Sequence, residues 1–164
     1  CDKIHIVYGD FNQNDAQPYK RYRVTYYAKP SGDNEYYAVY KSKQSWIQSS
    51  ESVTGNWSSS CAECFSGELI RDHLVDMEFI VFDQQGRIIN PPPRPDTSSR
   101  ENLYNIKAVD IRLTFRSKNE FYRFDAKDDN PRFVKGLGER TRKFLDKYLR
   151  DSVVVTVNTR NIGS

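Results

Sequence analysis

The stretch KAVDIRLTFRSKNEFY, Lys107 to Tyr122, alternates apolar and polar side chains with a period of two. Val109, Ile111, Leu113 and Phe115 fall on one side of an extended chain, and Asp110, Arg112, Thr114 and Arg116 on the other. That spacing predicts an antiparallel strand with one face buried and one wet. The pattern recurs along the chain. KIHIVYGDF sets Ile4, Ile6 and Tyr8 on one face, and YRVTYYA sets Tyr22, Val24, Tyr26 and Ala28 against Arg23, Thr25 and Tyr27. EYYAVYK follows after the turn-forming cluster Pro30, Ser31, Gly32, Asp33 and Asn34, so Tyr22 to Lys41 reads as an antiparallel hairpin. LVDMEFIVFD is a further strand, turned by Asp83, Gln84, Gln85 and Gly86 into RII, and SVVVTVNTRN is a β-branched closing strand.

Four segments break the alternation. Ser42 to Gly67 is rich in serine, holds Trp46 and Trp57, and reads as a long surface excursion stapled near its end by CAEC. Asn90 to Asn102 is a loop, because its prolines cannot donate to a central ladder. DAKDDNPRFVKG, residues 125–136, reads as a charged loop. ERTRKFLDKYLR, residues 139–150, predicts a helix with Phe144, Leu145, Tyr148 and Leu149 on one side and Arg140, Arg142, Lys143 and Lys147 elsewhere. The expected fold is α+β and mostly β: antiparallel sheet or sheets with long loops and one short helix in the C-terminal half. The 164 residues fit a single domain, 1–164, large enough for a sizeable core. No stretch reaches the ~20 apolar residues of a membrane-spanning helix. A first residue of Cys1 with no preceding Met favours an anchoring or targeting segment removed upstream.

Chemistry is sparse. The net charge of +3, from 25 basic and 22 acidic side chains, lacks the concentrated positive charge of a dedicated nucleic-acid binder. Two histidines give a nucleophilic site little material. There is no nucleophile elbow, phosphate-cradling glycine loop or dinucleotide fingerprint, so no enzyme activity and no cofactor are expected. Cys61 and Cys64 read as a local disulfide, with a pairing to Cys1 as the variant. Cys1, His5, Cys61, Cys64 and His73 could on paper supply a zinc set, which the spacing does not require. DFNQND places Asp10, Asn12 and Asn14 as a calcium loop would, but Asp15 stands where that loop needs glycine. The tyrosines around Tyr27 and Tyr37, interleaved with basic residues, read either as cross-strand packing or as a platform for bases or sugars.

KAVDIRLTFRS is similar to the late strand of type IV pilus minor pilins of the PilW type and of the related J-type minor pseudopilins of type II secretion. Ala108, Val109, Ile111, Leu113, Arg116 and Ser117 match that pattern, while Asp110 stands in place of a basic residue. LVDMEFIVFDQQGRI resembles the family's strand, Asp-x-x-Gly turn and return strand, and YRVTYYA its earlier tyrosine-bearing strand. Arg140, Arg142 and the ending at Arg160 and Asn161 fit the family's arginine-rich segment and final strand. CAEC and Pro91 to Pro93 are not family features.

The resemblance implies a pilin-like head without catalytic or metal sites, held in the inner membrane by an N-terminal helix upstream of this sequence. The head would lie in the periplasm or on an extracellular pilus, with other minor pilins or pseudopilins and the major pilin as partners. Its roles would be priming of filament assembly or a place at the filament tip, with effects on adhesion and motility. Arg112, Arg116, Tyr27, Tyr37, Trp46 and Trp57 are the candidate contact residues. The alternative is an extracytoplasmic lipoprotein, lipidated at Cys1, or a module that captures glycan or DNA through its aromatic surfaces.

Overall fold

Period-two patterning dominates the fold more completely than the sequence reading allowed. The computed structural model describes residues 1–16, 18–31, 36–48, 55–94 and 100–159. The described residues form nine strands: β1 (Ile4–Phe11), β2 (Tyr19–Pro30), β3 (Tyr37–Gln48), β4 (Gly55–Ser58), β5 (Phe65–Phe82), β6 (Ala108–Arg116), β7 (Arg132–Lys135), β8 (Thr141–Phe144) and β9 (Arg150–Asn158). One 3-10 helix, η1 (Arg100–Asn105), precedes β6. The chain divides into two compact units, Cys1–Asp72 and His73–Ser164, and β5 contributes its first part to one and its second part to the other.

In the first unit β1 pairs antiparallel with β2, β2 with β3, and β3 with both β4 and β5. Its buried residues include Tyr22, Thr25, Ala38, Val39 and Ser42, all on the two central strands β2 and β3. Ser31 N–H donates to the Tyr36 carbonyl (2.7 Å), closing the β2–β3 connection. Residues 32–35, the middle of the expected turn, lie outside the described residues.

In the second unit β5 pairs antiparallel with β6 and β6 with β9, while β7 and β8 form a separate two-stranded hairpin. Leu74 and Met77 are fully buried, and Val109 nearly so. The β5–β6 register shifts between Leu74 and Asp76, beside His73, whose φ of 57° is left-handed. A bulge there re-aims the following side chains, so Asp76 and Glu78 both turn inward.

Three expectations are overturned. Residues 139–150 form no helix, and the described residues contain no α-helix, so the fold is almost all β and not a helix-bearing α+β head. The apolar stripe that suggested a helix is not buried as one face: Leu145 and Leu149 are exposed, and Phe144 and Tyr148 are half-buried under Arg150 and Arg116. Arg140 and Arg142, two residues apart, both reach Asp76, and that shared partner demands extended backbone. Residues 145–149 turn instead, and the Lys147 carbonyl accepts N–H groups from Phe121 and Tyr122.

The excursion over Ser42 to Gly67 and the charged loop over 125–136 also contain strands. Ser42 to Gln48 continue β3, Gly55 to Ser58 form β4, and Arg132 to Lys135 form β7. Polar residues occupy both faces of KSKQS, which hid its alternation. Finally, the wet face of β6 is its most buried one: Arg112 and Thr114 are 6% and 0% exposed. Glu78 of β5 accepts from Arg112, and Ser152 of β9 bonds both Arg112 and Thr114.

Candidate interaction surfaces

The first unit carries an aromatic and cationic sheet face. Gln44, Trp46 and Trp57 meet there because β3 and β4 place Trp46 directly opposite Trp57. The two indoles pack edge to face with centroids 5.3 Å apart, a favourable geometry for their quadrupoles. Gly55 is required beneath them, since a Cβ there would lie 2.6 Å from the Trp46 ring. Arg23 on the neighbouring β2 lays its guanidinium 4.8 Å from the Trp57 ring centroid. It donates from Nε and Nη2 to Gln44 Oε1 (3.2 and 2.6 Å), which fixes its plane.

Further along the same strands Tyr27 stacks on Tyr40 at 6.0 Å, with the Lys29 ammonium 5.5 and 5.2 Å from the two rings. Tyr27 also donates to the Ser66 carbonyl (3.3 Å). The other side of β2 and β3 repeats the theme, with Lys43 4.4 Å from the Tyr22 ring and ion-paired to Glu63 at 2.8 Å. The hydrogen bond to Glu63 is the main cause that holds the lysine above its ordinary value, and the same bond holds the carboxyl below its own. Cys61 and Cys64 form a disulfide in the turn between β4 and β5, closed also by Cys64 N–H to the Cys61 carbonyl (2.9 Å). Two of the three thiols of the paper zinc set are thereby consumed, and no group of three metal-ligating side chains converges among the described residues. Asn12 of the calcium-like run caps the Asn14 N–H (3.1 Å), and Asp15 pairs with Lys20.

The second unit buries a charged cluster. Glu78 Oε2 accepts from Arg112 Nη1 (3.0 Å) and the Leu137 backbone N–H (3.1 Å), while Oε1 faces Arg140 Nε at 3.3 Å. Asp76 Oδ1 accepts from Arg140 Nη1 (3.2 Å) and Arg142 Nη2 (2.8 Å). Arg112 Nη2 continues to Ser152 Oγ (3.0 Å), which is 2.9 Å from Thr114 Oγ1. The β7–β8 turn fits tightly over the acids: a Cβ at Gly136 would stand 2.6 Å from both Glu78 oxygens. Arg112 is thus a buried structural cation and not a contact residue. Arg116 is half-buried with its guanidinium 4.0 Å from the Tyr148 ring. Of the six candidate contact residues only Tyr37 is exposed outright; Tyr27, Trp46 and Trp57 are half-buried.

The surface that sequence reasoning missed is β9. Val153, Val155 and Val157 pair with Leu113, Ile111 and Val109 and extend the apolar side of β6. Burial falls away across that side, from Val109 at 8% exposed to Val153 at 54%. Val154, on the opposite side, is 52% exposed. Thr159 N–H donates to the Lys107 carbonyl, so by alternation the Ser152, Val154, Thr156 and Asn158 amides point away from β6. The β-branched run was visible in the sequence, but its place at the end of the strand order was not.

Comparison with protein-family models, with curated proteins and with solved structures finds no match to this chain.

Proposed function

We propose that the chain is a non-enzymatic assembly subunit of an extracytoplasmic filament, a minor subunit of a type IV pilus or type II secretion pseudopilus. The observation that carries this reading is β9, whose valines are exposed on both faces and whose outer amides lack a neighbouring strand among the described residues. An apolar strand edge of this kind is suited to burial against another subunit through main-chain hydrogen bonds and side-chain packing. The Cys61–Cys64 disulfide supports an oxidising compartment. The sequence likeness of β5, β6 and β9 to minor-subunit strands supplies the kind of assembly.

The test is to express the native gene product with its neighbouring pilin-type subunits and place a photo-crosslinking residue at Val155. Crosslinks to a sister subunit, lost in Val154→Asp, are the expected result. Unchanged co-purification and no crosslink at β9 would remove the basis for the assembly role.

A second reading, capture of single-stranded DNA, is favoured by the cations held against aromatic rings in the first unit. Base stacking on such rings is sequence-tolerant and contributes about 1–3 kcal/mol per base. Binding to oligothymidylate that weakens with salt and with Trp57→Ala would support it, whereas a salt-insensitive interaction with neutral oligosaccharides would favour the glycan alternative.

A further inference from the structure

An open cavity of about 530 Å³ lies in the second unit between the β5 end and η1. We propose that it binds a neutral sugar, of mono- to disaccharide size, independently of the assembly role and at a different place from the aromatic face.

The walls are fixed before any ligand arrives. Ile88 bridges back to Phe82, Ile89 N–H donates to the Val81 carbonyl (2.9 Å), and Lys107 N–H donates to the Phe82 carbonyl (2.8 Å). The turn leading in is held by Asp83, whose Oδ1 accepts from the Gln85 and Arg87 amides (2.9 and 2.8 Å). Gly86 supplies the left-handed position, φ +76°. On the opposite wall Asn102 and Asn105 stand three residues apart on η1, a spacing that eclipses their side chains and brings the two carboxamides within 3.5 Å.

The lining decides the ligand class. Among the described lining residues the charged side chains are Asp83 and Arg87, which pair with each other at 2.9 Å. What remains is five carboxamides (Gln84, Gln85, Asn90, Asn102 and Asn105) beside Ile88 and Ile89. Carboxamides offer a donor and an acceptor each, matching hydroxyls that do both. Ile88, 58% exposed, gives the apolar strip against which the C–H face of a sugar ring can lie. An anion would find no uncompensated cation among the described lining residues, and an apolar ligand would strip water from the amides without replacing it.

The test is an amide-resolved NMR titration of the intact chain with maltose, lactose and diacetylchitobiose in turn. The expected result is weak, saturable binding of at least one probe, with shifts at the side-chain amides of Gln84, Gln85, Asn90, Asn102 and Asn105. Combined Asn102→Ala and Asn105→Ala should lower affinity roughly tenfold. Gln84→Ala, in the exposed turn, should lower it less and serves if the double variant does not fold. No shift with any of the three sugars would overturn the proposal. So would shifts centred on Trp46 and Trp57, undiminished affinity in both variants, or preference for glucose 6-phosphate over every neutral probe.

Discussion

Glu78 and Asp76 are two buried carboxylates facing three guanidiniums, those of Arg112, Arg140 and Arg142. Removing one member of such a set leaves an uncompensated buried charge, which costs about 3–5 kcal/mol, whereas replacing a pair by apolar groups is often neutral. Arg112→Met alone leaves Glu78 with Arg140 and the Leu137 amide, so it should destabilise by less, about 1.5–3 kcal/mol. Glu78→Leu with Arg112→Met should recover part of it, read as coupling in a urea-denaturation double-mutant cycle; strict additivity would show that the pair is not energetically linked.

His5 gives a second residue-scale consequence. Loss of solvent, then the nearby Lys3 and Arg23 charges, hold its imidazole below the ordinary value, and Nδ1 lies 2.8 Å from Thr25 Oγ1. With the folded value depressed, the unfolded chain takes up the proton first. Stability is then full above the ordinary imidazole range and declines as pH falls through it. Denaturant midpoints should drop between about pH 7 and pH 5, and His5→Gln should flatten that slope.

At the scale of elements, strands were legible in the sequence wherever one face was apolar, as in β2, β5 and β6. They were not legible where the partner decided the outcome. KSKQS shows no hydrophobic alternation, and it became β3 because β2 and the Trp46–Trp57 pair hold it. Arg112 read as a wet residue because its acid lies on another strand, and no local pattern reveals that Glu78 turns inward. The helix expected over 139–150 failed for the same reason: Phe144, Leu145, Tyr148 and Leu149 have helical spacing, but Asp76 holds Arg140 and Arg142 in extended register.

The Cys61–Cys64 staple belongs to this scale too. It closes a loop of only a few residues, so its entropic contribution is limited to about 2 kcal/mol. Reduction should lower stability by roughly that much and raise amide exchange chiefly in β4 and the start of β5. Global unfolding on reduction would mean that the turn carries far more than loop entropy.

For the whole molecule, the expectation of one domain over 1–164 meets a chain that divides at Asp72 and His73, inside a single strand. A strand that runs through the division, even with the bulge beside His73, is a poor place for independent melting. Calorimetry should show one cooperative transition whose calorimetric and van't Hoff enthalpies agree. Two separated transitions would mean two folding units. The near-balanced charge, +3 in 164 residues, gives little electrostatic repulsion between copies at any stage of that transition.

That weak repulsion bears on the valine row of β9. Ser152 to Val157 is a proline-free window whose residues from Val153 on are all β-branched, with Asp151 capping the Ser152 amide at 2.8 Å as its nearest acidic gatekeeper. Kept in isolation, the protein should age: concentrated stocks should seed thioflavin-positive fibrils from this segment, and Val154→Lys should lengthen the lag. Shelf life thus becomes a readout of how much this strand depends on being covered.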